Sequence, residues 1–416
     1  MSEPWKRSRL GDVCRVIPGY AFKSSDWQAE GIPVVKIKNI TTDNAVDLTE
    51  TDCVPESVLT PKLQKFVLND GDILLAMTGA TAGKVGKVRT KRPILLNQRV
   101  AKIAPVEADH GFIWSVVSSQ EYQEKFFYLA DGAAQPNMSG GQIEGLEIPC
   151  PPLPVQRRIA GILSAYDELM ANSQRRIRLL EAMARALYRE WFVHFRFPGH
   201  EKHPRVASPL GDIPQGWAVK PLGDRFKTVL GGTPSRVKPE FWEGGTIPWI
   251  NSGKVNDLRI TAPSELITEL ALERSAAKLM PKGTTVLAIT GATLGQVSYL
   301  EIETAANQSV VGIVDPSDLY SEWIYLTVTD RIEGIINHAS GGAQQHINKE
   351  VVNDVLVAPP PAPLAKEFKR VVGPMFREVA TLLFKIQNLR RTRDLLLPRL
   401  LSGQVELKTG NSYAKN

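Results

Sequence analysis

The stretch MTGATAGKV, beginning at Met77, returns 212 residues later as ITGATLGQV, beginning at Ile289 (289 − 77 = 212). A motif of turn size written twice, half a chain apart, requires the polypeptide to fold twice on one plan. The same offset carries Trp5, Leu10, Gly11 and Asp12 onto Trp217, Leu222, Gly223 and Asp224, and Gly71 onto Gly283. Farther along it slips to 210 for Asn97-Gln98 against Asn307-Gln308 (307 − 97 = 210). It then becomes 209 for Gln135 against Gln344 and for Pro152 against Pro361 (361 − 152 = 209), as small loop deletions would cause. A chain of 416 residues exceeds what one core serves, so two domains are expected. A repeat of about 200 residues is also far too long for a solenoid.

Each half reads in one order. Short apolar runs bounded by Gly, Pro and Asn, among them IPVVKIKNI, DILLAMTGA, TTVLAITGA and SVVGIVDP, spell strands. FIWSVVSSQEYQEKFFYLA and EWIYLTVTDRIEGIINHA have helical apolar spacing, so each domain is expected to mix strand and helix. The proline runs IPCPPLP and VAPPPAP then close each domain, since proline continues neither sheet nor helix.

After each proline run the apolar period changes. In the second half Phe368, Val372, Met375, Val379, Leu382, Ile386, Leu389, Leu396 and Leu400 alternate by fours and threes, a heptad seam in which Arg393 occupies an apolar place. Gly373-Pro374 and Pro398 are expected to kink this helix or end it early. In the first half Ile159, Tyr166, Leu180 and Leu187 repeat by seven. Ile162, Leu169 and Met183 flank them on one side, and Leu163, Met170, Ile177 and Trp191 on the other. That stripe is broad enough for more than one partner helix, and its surplus, Leu163, Met170, Ile177 and Trp191, marks a partner-binding face.

Familiar chemistry is absent. TGATAGKV imitates part of a phosphate loop, but Thr78 stands where that loop needs a Gly and Val85 where it needs Ser or Thr. The second copy also replaces Lys84 with Gln296. His194, His200 and His203 cluster in a polar linker without ligand spacing, so no metal site is expected. Cys14, Cys53 and Cys150 are too few and too scattered for a disulfide framework, and are read as reduced structural thiols. No nucleophile elbow, no Asn/Asp-Pro-Pro-Tyr/Phe tetrapeptide and no nuclease pattern is found, so no catalytic residue is assigned. With 43% hydrophobic and 23% charged residues the composition is that of a folded protein. Without an apolar window of membrane length or a secretory leader, it is expected in the cytoplasm.

What remains points to binding. The net charge is +6, and the pI near 9.1 suits a polyanionic partner. From Gly79 to Lys102 the chain carries Lys84, Lys87, Arg89, Lys91, Arg92, Arg99 and Lys102 and no acid. Such a run is suited to phosphates. The candidate contacts to such a polyanion in the first half are Lys84, Lys87, Arg89 and Arg99, the turn residues Thr78, Gly79 and Thr81, and Lys36, Lys38 and Asn39 after the strand IPVV. The second half lacks that run. Its candidates are Arg236, Lys238, Asn251, Ser252 and Lys254 near the strand TIPWI, with Thr290, Gly291 and Thr293 of the repeated turn. Two domains sharing a scaffold and differing in surface would bind different things.

These residues resemble a known family, the specificity subunits of type I restriction-modification systems. LGDIPQGW from Leu210 and PLGD from Pro221 look like that family's start of a second target-recognition domain. PPLPVQRRIAGILSAYDELMANSQRRIRLLEAMARALYREWF is similar to its central conserved region, and PPPAPLAKEFKRVV with NLRRTRDLLLPRLLSGQV to its distal one. One departure is that the first domain opens EPWKRSRLGD without the full Ile-Pro-x-Gly-Trp. The resemblance implies an α+β architecture with recognition domains at 1–150 and 217–358. Helical spacers follow at 151–198 and 359–407, with a linker at 199–216 and a disordered tail at 408–416. The two helices would pair as an antiparallel coiled coil with pseudo-twofold symmetry. It also implies a non-catalytic subunit whose domains each read half of a split double-stranded DNA target. Two methyltransferase (modification) subunits and restriction/translocase subunits would be its partners. No cofactor is then expected on this chain; S-adenosylmethionine, ATP and Mg would belong to the partners. An unrecognised DNA-modifying enzyme and a paired protein-binding adaptor are the alternatives.

Overall fold

The computed structural model describes residues 5–130, 137–337 and 346–405. The paired Gln135 and Gln344 and the tail from 408 lie outside the described residues. The chain forms two compact units, one holding the residues up to Met170 together with those from Asn388 onward, the other Ala171–Gln387.

In the first unit four antiparallel strands lie side by side in the order Cys14–Pro18, Val100–Pro105, Ile73–Ala76, Val85–Lys87. A second sheet runs Cys53–Val54, Ile32–Val35, Ile94–Leu96, Val67–Leu68, with the middle two parallel. The second unit repeats both. Lys227–Leu230, Val310–Val314, Thr285–Ala288 and Val297–Leu300 form the first sheet, extended by Arg259–Ile260. Glu265–Ile267, Ile247–Ile250, Thr304–Ala306 and Leu279–Met280 form the second. Ile73–Ala76 and Thr285–Ala288 are buried at every residue, the pattern of a strand covered on both faces.

The repeated motif is the hairpin turn after each of these buried strands. Gly79 and Gly291 have φ of +74° and +63°, and a Cβ on either would meet nothing within 4 Å, so only backbone freedom is needed there. The second glycine of the motif also has a positive φ, +87° at Gly83 and +84° at Gly295. A Cβ on Gly83 would lie 2.6 Å from the Gln123 carbonyl oxygen, so that glycine lets the turn press against a helix.

That helical region differs between the halves. Ser119 accepts a hydrogen bond from the Tyr122 N–H at 3.3 Å and starts a new helix, so FIWSVVSSQEYQEKFFYLA becomes His110–Val117 and Gln120–Leu129. Its counterpart Ser321–Ile336 is continuous.

The central helix runs Leu153–Tyr188 and ends in a π-helical turn, Arg189–Val193. The distal helix runs Ala362–Leu401, passing through Pro374 and Pro398, so neither proline ends it as its sequence suggests. Gly373 has no Cβ to oppose the Pro374 ring, and the buried Val372, Phe376 and Val379 hold this stretch by packing.

The helices pair antiparallel in each unit. In the first, Ile159 and Leu163 near the start of the central helix share a core with Leu400 and Leu401 near the end of the distal helix. In the second, Trp191 meets Phe368 at 5.7 Å, and Arg176 bonds Glu378 at 2.5 Å. Arg393, out of place in an apolar seam, donates to Asp167 at 2.7 Å.

One reading of the sequence is corrected here. Leu163, Met170, Ile177 and Trp191 are only 3%, 8%, 4% and 7% exposed, so the chain itself covers the face assigned to a partner. The stripe is broad because the helix packs on more than its mate: Leu163 joins Phe112 and Val116 of its own unit, and Trp191 joins Phe226 and Trp323 of its own. The exposed large apolar residues of the central helix are Leu153, Leu169, Leu179 and Met183. Among the described residues no helix is long and apolar enough to cross a membrane.

Candidate nucleic-acid interface

Antiparallel pairing brings three separate pieces of each half to one end of the first sheet of its unit. In the first unit these are the residues after Pro18, those before Val100 and those after Ala76. The Tyr20 N–H donates to the Leu96 carbonyl and the Gln98 N–H to the Tyr20 carbonyl, both at 2.9 Å, while the Met77 N–H donates to the Arg99 carbonyl at 3.0 Å. Thr78 bridges to Asn137. In the second unit the Gly232 N–H donates to the Ala306 carbonyl at 2.7 Å and the Ile289 N–H to the Ser309 carbonyl at 2.9 Å. Thr290 bridges to His346, and the Thr233 hydroxyl donates to Gln308 Oε1 at 2.5 Å.

A shared glycine makes this convergence tight. A Cβ on Gly19 would fall 2.1 Å from the Asn97 carbonyl oxygen, and one on Gly231 would fall 2.2 Å from that of Asn307. The turn motif and the Asn-Gln pair are thus repeated because they build one edge, duplicated. Gln98 and Gln308 are exposed on it. Neither was among the candidates, although the repeated Asn-Gln was the signal that would have found them.

The basic run of the first half does not form one patch. Arg99 is exposed beside the turn. Lys84 instead lines a groove with Trp114, Phe127, Asp167 and Arg393, on the side of the helices. The Lys87 ammonium stands 5.3 Å from the centre of the Trp114 ring, and burial followed by the charge of Arg89 holds its pKa below the usual lysine value. Arg89 faces Asp70 at 3.5 Å in an exposed pair, and Lys102 pairs with Asp72 at 2.7 Å in a largely covered one. Among the described residues, the buried Thr78 and Thr81 hydroxyl oxygens find no hydrogen-bond partner. Thr293 donates to the Thr290 carbonyl at 3.3 Å.

Other candidates serve the fold. Asn39 is buried, accepts from the Lys36 N–H at 2.9 Å and donates to the carbonyls of Asp47 and Glu50, so its amide is spent within the loop. Lys36 and Lys38 both reach Asp52, at 2.9 Å and 3.3 Å, and their hydrogen bonds hold its carboxyl below the usual range. Asn251 accepts from the Lys254 N–H at 3.2 Å and so caps the short turn Ser252–Asn256, in which Lys254 pairs with Asp257 at 2.8 Å.

The two units share one more device. Lys36 lies 3.5 Å above the Trp27 ring and pairs with Asp52. Arg236 lies 3.6 Å above the Trp242 ring and grips both oxygens of Glu265 at 2.7 Å each. Asp52, just before its short edge strand, and Glu265, at the start of its own, hold matching places, since Pro33 pairs with Cys53 and Pro248 with Leu266. The cation arrives from different points of the chain, and in each unit it braces the loop beside the convergent edge.

Comparisons with known proteins follow this geometry. A family model described as the type I restriction modification DNA specificity domain matches residues 2–182 and 214–366. The chain is 24% identical to the MjaIX type I restriction enzyme specificity subunit of Methanocaldococcus jannaschii, over 97% of this chain and 94% of that protein. It is 24% identical to the HindI specificity subunit of Haemophilus influenzae, over 71% of this chain and 77% of that one. The crystal structure of a type I restriction-modification S subunit from M. genitalium superposes with a TM-score of 0.60 at 16% identity, covering 96% of this chain and 99% of the other. At that identity the likeness speaks for the fold.

Proposed function

This chain belongs to the type I restriction-modification DNA specificity family, and from that premise we propose that each of its units reads one half of a bipartite DNA target. The observation that carries this reading is the duplicated edge, built with the same backbone pairing and a shared glutamine in both units and dressed with different side chains around it: Tyr20, Arg99 and Asn137 in one stand where Gly232, Ser309 and His346 stand in the other. One scaffold presenting two surfaces suits two different half-sites, because base edges are read by side chains while the backbone fixes their placement.

The chain supplies recognition, and partners supply chemistry. Two modification subunits would carry S-adenosylmethionine and methylate adenines, and restriction subunits would carry ATP and Mg. This division is supported by a sequence without a recognisable catalytic constellation beside motifs of a specificity family. The test uses the purified chain with and without modification subunits. Alone it is expected to bind DNA weakly and in a salt-sensitive manner without transferring a methyl group; together they bind tightly and methylate a split site. Methyl transfer by the isolated chain overturns the reading.

A further inference from the structure

The loop leaving the convergent edge of the second unit ends in an exposed valine. Ser235–Lys238 is a four-residue turn in which the Lys238 N–H donates to the Ser235 carbonyl at 3.3 Å. Val237, third in the turn, is 88% exposed. The backbone there is not left-handed and admits valine, but turn tips are ordinarily taken by Gly, Asn, Asp or Ser, which meet water without cost. A branched apolar side chain there buries nothing and breaks the local rule, the kind of conflict that marks a contact made outside the chain.

The turn is also rigid. The Trp242 indole N–H donates to the Ser235 carbonyl at 3.1 Å, and Arg236 is fixed between the Trp242 ring and the Glu265 carboxylate. Pro234 and Pro239 stiffen both arms, Pro234 being buried. The stem begins at Thr233, which is bonded to Gln308 on the convergent edge. With Arg236 neutralised by Glu265, the tip offers two methyl groups beside the exposed ammonium of Lys238.

We infer that Val237 is a specificity-determining residue that contacts the 5-methyl group of a thymine in the major groove, with Lys238 directed to the neighbouring phosphate. Apolar contact with that methyl group is a standard element of direct readout, and the wedges that pry base steps apart are longer side chains than valine. A preorganised stem loses little entropy on contact, so the small gain of one methyl contact is kept. The inference rests on the DNA-reading role proposed above.

The experiment uses the full chain with its modification subunits, on a target mapped from methylated adenines. Each thymine of both half-sites is replaced in turn by deoxyuridine, which removes only the 5-methyl group. One position is expected to cost the wild type about fourfold in affinity, the value of one buried methylene-sized group, and Val237→Ala should bind the two probes at that position alike. Because Val237 packs on nothing, the variant should melt with the wild type. If no thymine shows the loss, or if Val237→Ala shows the same loss, the inference is overturned. The same holds if the variant weakens subunit assembly while leaving the thymine-to-uracil ratio unchanged, since the tip would then be a protein contact. Failure of the DNA-reading role itself appears earlier and separately, as a wild-type complex that does not distinguish its mapped target from random duplex.

Discussion

Arg259 and Glu181 meet at 2.5 Å with the guanidinium wholly covered and the carboxylate 6% exposed. Glu301 stands on the other side of the guanidinium at 3.4 Å, and the rings of Phe376, Tyr299 and Tyr325 surround it at 3.9, 4.7 and 4.7 Å. The contact ties the strand Arg259–Ile260 to both long helices within the second unit. Burial opposes the Arg259 charge, and the two carboxylates more than offset it. Arg259→Met removes the cation the two buried acids share, leaving Glu181 only Arg185 at 3.9 Å and Glu301 only Lys282 at 3.4 Å, and is expected to cost about 3 kcal/mol, seen as a lower melting temperature. Replacing Glu181, Arg259 and Glu301 together by Met should restore most of that loss; a triple variant as unstable as the single one would refute this account.

Asp167 and Arg393 lend themselves to a double-mutant cycle. Arg393→Leu alone strands a half-covered carboxylate in the helix seam and should destabilise the first unit by on the order of 1 kcal/mol. Asp167→Leu with Arg393→Leu completes the heptad seam and should match or exceed the wild type in a denaturant titration.

Glu322 gives a pH signature. Burial raises its carboxyl pKa above the usual 4.5, and the charge of Lys369 only partly opposes this. The folded state therefore favours the neutral form. Its contribution is fully present below pH 4.5 and is lost as pH rises through the raised value. Glu322→Gln keeps a neutral group there, while Lys369 retains Asp318 at 2.9 Å. The variant should melt with the wild type at pH 4 and above it at pH 7, with the gap opening between; a constant gap at every pH would contradict the sign.

Two cations of one run should behave oppositely. Arg99→Ala is expected to weaken DNA binding and to flatten the slope of log K against log salt by about 0.9, the share of one phosphate contact. Lys102→Ala breaks the covered pair with Asp72 and should lower the melting temperature with the salt slope intact. The slopes of both variants, measured from 50 to 200 mM salt, decide it.

Pattern and pairing differ in how far a sequence discloses them. Strand runs such as Ile73–Ala76 and the heptads of the distal helix are legible because local burial writes them directly into residue order. Charge is less legible, since its meaning depends on a neighbour distant in sequence. Lys84, Lys87, Arg89, Arg99 and Lys102 are alike on paper, yet Asp72 claims one, Asp70 another and the Trp114 ring a third. Asn39 looked polar and free, and its amide is consumed by Asp47 and Glu50. The broad stripe of the central helix was rightly apolar, but apolar spacing cannot say whether the same chain or another one covers Leu163 and Trp191.

The first unit is closed by the far end of the distal helix. Leu396, Leu397, Leu400, Leu401 and Val405 pack into its core, and the Trp5 indole donates to the Leu400 carbonyl at 2.9 Å. During synthesis, therefore, the strands that leave the ribosome first must wait for these residues before their core is whole, while Ala171–Gln387 is contiguous and can close sooner. Order of birth and order of completion are reversed. A nonsense codon after Leu395 would accordingly injure the half of the protein nearest its start and spare the half made last.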